Sequence, residues 1–234
     1  MSQFNVLMLS SSKVGNGGYL SDAKLSILTH LNGITDVTFI PYAGVSMTYD
    51  DYTQAVADAL PMLNIKGIHT FEQPQEALAS SNAILVGGGN TFALLDMLYK
   101  TALLAPLQQR LAQGLPYIGW SAGANICGAT LRTTNDMPIV EPPSFNALSV
   151  VPFQLNPHYT DFVAPGHNGE TREQRIQEFT QLNPTTPVVG IQEGSALLLK
   201  GQTLTLEGNL PAFVFLADKK TQIEQGTDLS HLLT

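Results

Sequence analysis

The chain has 234 residues, with 11 Lys and Arg against 19 Asp and Glu and a formal net charge of −8 at pH 7. Its basic residues are scattered, Lys219 and Lys220 being the only adjacent pair, which excludes the clustered cations that grip a phosphate backbone. A hydrophobic share of 44%, a charged share of 13% and a single cysteine, Cys127, exclude a disordered chain, an internal disulfide framework and a multi-cysteine metal site.

From the N-terminus, Met1 to Ser12 has no basic region, and its apolar run Val6 to Leu9 is far shorter than a signal core. No stretch reaches the ~18 apolar residues of a membrane span. The expectation is a cytoplasmic protein without membrane or nucleic-acid partners, built as one domain over residues 1–234.

Short apolar runs then alternate with amphipathic segments. Strands are expected at Asn5 to Ser10, Val37 to Pro41, Lys66 to Thr70, Ala83 to Val86, Tyr117 to Gly119 and Val188 to Ile191. Helices are expected at Ser21 to Leu31, Tyr49 to Leu63, Thr91 to Tyr99 and Ala105 to Gln113, where apolar positions recur every three or four residues. This order predicts an α/β fold, a doubly wound, mostly parallel sheet with helices on both faces.

Between Thr133 and Asn168 the rhythm breaks into a Pro- and Asn-rich stretch, which predicts a long irregular segment of functional use. A helix follows, with Thr171 and Gln174 spaced as a capping box and Ile176, Phe179 and Leu182 as its buried stripe. From Ser195 to Leu216, alternating residues broken at Gly201 and Gly208 predict small antiparallel strands near the C-terminus.

The sharpest chemical signal is Gly119-Trp-Ser-Ala-Gly123, directly after an expected strand and before the small-residue segment Ala122 to Ala129. This is the context of a nucleophile elbow, in which flanking glycines let the Ser121 hydroxyl project from a crowded turn. A helix N-terminus just beyond points free N–H groups, such as that of Ala122, to where an acyl oxyanion forms. Gly87-Gly-Gly-Asn-Thr91 closes the strand before it, so Gly88 or Gly89 can supply a second oxyanion donor, with Asn90 beside the substrate. The plain alternative for this run is a tight turn with a helix cap.

A serine needs a base, and five histidines compete. His30, His69 and His231 have ordinary structural readings, which leaves His158 and His167 in the irregular stretch. His158 is favoured because Asn156-Pro157 stiffens its approach. Two acids can orient it: Glu193, after the strand Val188 to Ile191, and Asp136, in the loop beyond the nucleophile. The residues alone do not rank them. Arg172 and Arg175 share a face near a helix N-terminus, where the dipole opposes a cation, and a guanidinium there suits an acidic substrate group. The plain alternative is ion pairing with Glu170, Glu173 or Glu178.

Six segments in order, namely Pro41-Tyr-Ala-Gly-Val45, Gly87-Gly-Gly-Asn-Thr-Phe92, Gly119-Trp-Ser-Ala-Gly-Ala-Asn125, Thr133-Thr-Asn-Asp-Met-Pro138, Asn156-Pro-His158 and Gly169-Glu-Thr-Arg-Glu-Gln-Arg175, resemble the peptidase E family of α-aspartyl dipeptidases. The resemblance implies a fold like that of class I glutamine amidotransferase domains and a serine hydrolase that removes N-terminal aspartate from dipeptides. It implies Ser121 as nucleophile, His158 as base and Arg172 as the grip on the aspartyl side chain. Asp136 and Glu193 both remain candidates for the acid. No metal or cofactor is expected, since no HExxH occurs and neither His158 nor His167 has an acid at zinc-helix spacing. The competing readings are a related hydrolase of an isoaspartyl or cyanophycin-like amide and a catalytically silent binder of acidic peptides. No heptad pattern declares an interface, so a monomer and a small homo-oligomer both fit.

Overall fold

The computed structural model describes residues 3–234. In chain order its elements are β1 (Asn5–Leu9), α1 (Lys24–Leu31), β2 (Asp36–Ile40), α2 (Tyr49–Ala59), β3 (Asn64–Gly67), α3 (Pro74–Ser80), β4 (Ile84–Val86), α4 (Thr91–Lys100), α5 (Leu104–Ala112), β5 (Tyr117–Trp120), α6 (Ala122–Asn125), β6 (Gln154–Pro157), α7 (Arg172–Leu182) and β7 (Val188–Ile191), then β8 (Ser195–Lys200), β9 (Thr203–Gly208), β10 (Ala212–Leu216) and β11 (Lys219–Ile223). The main sheet has the order β3-β2-β4-β5-β1-β8-β9; its first five strands are parallel, and the β8–β9 hairpin adds to β1 in antiparallel fashion. A second sheet, β11-β10-β7-β6, stands beside it.

Period-two alternation sorts each strand between two cores. Val6 and Met8 of β1 join Leu94, Leu98, Leu107 and Leu111 of α4 and α5, whereas Leu7 and Leu9 join Ile27 and Leu31 of α1 and Tyr52 and Val56 of α2. Helices therefore cover both faces, as the alternating sequence predicts. The carboxyl ends of β1, β2, β4 and β5 open on one edge, where parallel sheets place their ligands.

Several expected boundaries are corrected. The strand expected at Lys66 to Thr70 lies earlier, at Asn64–Gly67, because its register on β2 pairs Asp36 with Asn64; Ile68–Thr70 forms a 3-10 turn instead, closed by the Thr70 hydroxyl on the Gly67 carbonyl. The helix expected to reach Leu63 stops at Ala59, since Pro61 drives Leu60 out of the helical region. The first helix begins at Lys24 rather than Ser21, and α6 is only four residues long. Helix α3, with Pro74 in its first turn, had no expected counterpart. Within the stretch expected to be irregular, Gln154–Pro157 forms β6, paired in parallel with β7 from Gln154↔Val188 to Pro157↔Ile191. On α7 the buried face is Ile176 and Thr180 with Phe179 partly covered, while Leu182 is 86% exposed. Leu182 is the last residue of the helix, beyond the stretch that packs on the second sheet.

Candidate active site

Ser121 occupies the turn between β5 and α6 with φ 53° and ψ −111°. Two close approaches impose this turn. A Cβ on Gly119 would collide with the Gly123 carbonyl, and one on Gly123 would collide with the Val86 carbonyl. Glycines at both places let β5, the turn and β4 interlock, and the strained serine projects its hydroxyl over the sheet edge.

His158 follows β6 with φ 57°. Its Nε2 lies 2.9 Å from Ser121 Oγ, and its Nδ1 lies 2.7 Å from Glu193 Oε1. The β6–β7 register explains this meeting, because Pro157 opposes Ile191 and the residues just beyond both strand ends leave side by side. One strand suspends both reacting side chains. The Ser121 N–H donates to the Leu9 carbonyl at the end of β1, and the His158 N–H donates to the hydroxyl of the next residue, Ser10, which in turn donates to the Ile191 carbonyl at 2.7 Å. Ser10 was not among the expected site residues, and its role depends on an inter-sheet contact that no local pattern encodes.

Asp136 has other partners. Its Oδ2 accepts from the Thr91 N–H at 2.7 Å, the Thr91 hydroxyl at 2.6 Å and the Thr134 hydroxyl at 3.2 Å, at the N-terminus of α4. Asn90 caps the same helix through the Ala93 N–H and ties the loop down through the Met137 carbonyl. The Asn135 amide donates to the Pro157 carbonyl, joining that loop to the base of His158.

Ser121 and His158 stand between two chambers. A polar cavity of about 240 Å³ is lined by Thr91, Thr134, Asn135, Asp136 and Arg172. An apolar one of about 440 Å³ is lined by Tyr19, Val45, Met47, Tyr52 and Trp120 together with Gly88, Gly89 and Asn90. The N–H groups of Gly88, Gly89 and Ala122 donate to no protein acceptor among the described residues, and Gly88 packs so close to Ser121 that an added Cβ would stand 3.0 Å from the serine Cβ. Arg172, at the first position of α7, is half-buried with no carboxylate within ion-pair distance among the described residues. Burial and the neighbouring Arg175 hold its pKa below the ordinary arginine value, against the pull of Glu193 and Asp136. Arg175 does not line either chamber; it is 61% exposed, 3.6 Å from Glu170. His167 lies in an exposed turn with Nε2 3.3 Å from the Glu170 carbonyl. No group of three or more His, Cys, Asp or Glu able to hold a metal occurs among the described residues.

A serine at a strand-to-helix turn, linked through one imidazole to a carboxylate at the carboxyl edge of a mostly parallel sheet, is the arrangement of an α/β serine hydrolase. The comparisons narrow this class. The family model for peptidase family S51 matches residues 6–207, and the chain belongs to that family. Proteins named peptidase E from Shewanella baltica (strain OS155) and Shewanella sp. (strain MR-4) are each 54% identical over 232 residues, 98% of both chains. Among solved structures, a candidate peptidase E of Listeria monocytogenes EGD-e shares the fold with TM-score 0.67 and 24% identity, over 88% of this chain and 99% of its own. A peptidase from an acI-B1 Actinobacterium shares it with TM-score 0.69 and 16% identity, over 96% and 95%.

Proposed function

We propose that the chain is a serine dipeptidase that hydrolyses dipeptides with an N-terminal aspartate. The observation that carries the reading is the position of His158, within hydrogen-bond distance of Ser121 on one nitrogen and of Glu193 on the other. His158 Nε2 takes the Ser121 proton as Oγ attacks the scissile carbonyl, and Glu193 holds the Nδ1–H and balances the imidazolium. The N–H groups of Ala122 and of Gly88 or Gly89 face the developing oxyanion. His158 then returns the proton to the leaving amine, which departs with the second amino acid. Water, deprotonated by the same imidazole, attacks the aspartyl ester, and free aspartate and Ser121 are regenerated.

In this reading the aspartyl end occupies the polar chamber. Arg172 pairs with the β-carboxylate, and the Asp136 oxygen not engaged by Thr91 and Thr134 receives the α-ammonium. The leaving residue occupies the apolar chamber beside Met47 and Trp120. The likeness to proteins named peptidase E over nearly the whole chain supports the same reading. Location in the cytoplasm and a single catalytic unit over residues 1–234 belong to this proposal; no helix of the described residues is long and apolar enough to cross a membrane.

The test is kcat/KM for Asp-Leu against Asn-Leu, which differ in one charge. A half-buried arginine left without its anion predicts a ratio of about 10³ or more, and Arg172→Ala should abolish that preference. A ratio near one with real turnover would keep the hydrolase and remove Arg172 as its selector.

A further inference from the structure

Outside the active site one charged cluster stands apart. Lys220, on β11, is only 22% exposed, and its ammonium lies 2.6 Å from Asp161 Oδ1 and 2.7 Å from Glu173 Oε2. It also sits over three aromatic rings, 4.7 Å from the centroid of Phe213, 5.5 Å from Tyr159 and 5.8 Å from Phe215. The Tyr159 hydroxyl donates to the same Asp161 oxygen that Lys220 holds. Partial burial works against the ammonium, but its bonds to Asp161, Glu173 and Tyr159 raise its pKa above the ordinary lysine value. No catalytic step uses this group.

Its place in the chain gives it a role. Asp161 is three residues after His158, and Glu173 is one residue after Arg172. Between them residues 161–170 are exposed throughout. One ammonium thus fastens both feet of the loop that joins the base to the anion-binding arginine. Arg172 needs such support, because the first turn of a helix is an unfavourable position for a cation, it has no ion-pair partner among the described residues, and Arg175 repels it. The capping box of Thr171 and Gln174 fixes the backbone of that turn, Ile176 just beyond it packs on the second sheet, and within the turn Glu173 carries the ion pair to β11.

We infer that Lys220 is a positioning residue for Arg172: by clamping Asp161 and Glu173 together it sets the first turn of α7 so that the guanidinium faces the polar chamber before substrate arrives. The inference rests on the aspartyl reading of that chamber. It separates Lys220 from the serine, so its loss weakens recognition of the acidic side chain and leaves Ser121 as reactive as before.

The experiment uses Lys220→Met, which keeps the apolar stem against Phe213 and removes the charge, and Lys220→Arg, which restores a cation. For Lys220→Met the expected result is a rise of about tenfold in KM for Asp-Leu, kcat within about threefold of wild type, unchanged Asn-Leu turnover and an unchanged rate of Ser121 labelling by a neutral fluorophosphonate. Lys220→Arg should recover most of the KM. In an Arg172→Ala background, Lys220→Met should add nothing, since two groups acting through one contact are not additive. If Lys220→Met does not fold, Glu173→Gln removes one limb of the clamp and carries the same expectations. Equal losses of Asp-Leu turnover and of probe labelling, the same fold-loss with Arg172 absent, or a wild-type KM would each overturn the inference. Failure of the aspartyl reading itself looks different, because wild type would then not distinguish Asp-Leu from Asn-Leu.

Discussion

Replacing Glu193 by Gln and Asp136 by Asn in separate proteins distinguishes which carboxylate serves the histidine. Glu193 Oε1 is 2.7 Å from His158 Nδ1, a charge-assisted contact of a kind that contributes about 1.5–3 kcal/mol. Its side chain is 48% exposed, so solvent screening favours the lower half of that range. In Glu193→Gln the amide oxygen can still accept from Nδ1–H, so the tautomer is kept and the charge alone is lost. The expected outcome is a kcat about 10- to 40-fold lower with KM for Asp-Leu within about twofold, since the charge acts on the imidazolium that forms as His158 takes the serine proton. Asp136→Asn keeps an acceptor for the Thr91 N–H but removes the anion assigned to the substrate ammonium. There KM should rise about tenfold or more while kcat changes less than about threefold. Steady-state kinetics on both variants reads the split. A larger kcat loss in Asp136→Asn than in Glu193→Gln, at unchanged KM, would refute the assignment and move the histidine's partner to Asp136.

Two further outcomes are expected. The apolar chamber should favour bulky leaving residues: burying Leu in place of Ala is worth at most about 2 kcal/mol, and in an open cleft kcat/KM for Asp-Leu should exceed that for Asp-Ala by about tenfold, shrinking in Met47→Ala; a ratio at or below one would remove the chamber from leaving-group recognition. His30 should contribute to the loss of stability in acid. It is buried with Nε2–H donating to the Asn5 carbonyl at 3.2 Å and Nδ1 unpartnered, and burial pushes its pKa down to about 4. Because the folded value lies below the unfolded one near 6.5, the folded state binds fewer protons, so stability present above pH 6.5 is lost progressively towards pH 4, by about 3 kcal/mol at most. Urea midpoints at pH 7.5 and 5.0 should diverge less in His30→Gln than in wild type, and equal divergence would exclude His30 as the source.

Local patterns carried the parts of the site that are local. Gly119 and Gly123 flank Ser121 at the spacing that a strained turn requires, and Thr171 with Gln174 spells the cap of α7, so both were legible from the residues. The parallel core was legible for the same reason, since apolar runs and amphipathic segments alternate. Contacts between distant segments were not. The choice between Asp136 and Glu193 turns on the pairing of Pro157 with Ile191, and β6 lies in a proline-rich stretch that has no strand-like alternation. Asn90 lines the apolar chamber, and what its position in the sequence does not reveal is that its side chain divides between the cap of α4 and the Met137 carbonyl. Arg175 has the same spacing signal as Arg172, and only the turn of α7 separates the half-buried guanidinium from the exposed one.

Ser10 shows how the two sheets become one reacting unit. It is completely buried, and its hydroxyl both donates to Ile191 at the end of β7 and accepts from the His158 N–H. That second bond holds a non-glycine residue at φ 57°, a conformation that costs about 1–3 kcal/mol and persists only where its surroundings enforce it. Ser10→Ala removes the enforcement and leaves the part-buried His158 N–H without its partner, a loss of about 1–3 kcal/mol, while the Ile191 carbonyl keeps its bond from the Tyr159 N–H. Unfolding free energy from urea titration should fall by about 1–3 kcal/mol. At a temperature well below the variant's own unfolding transition, kcat should fall about tenfold or more with little change in KM, because a displaced imidazole fails at proton transfer and not at binding. Rates of Ser121 labelling should fall in parallel with kcat. A destabilised Ser10→Ala that retains wild-type kcat and labelling would mean that the second sheet holds His158 without help from β1.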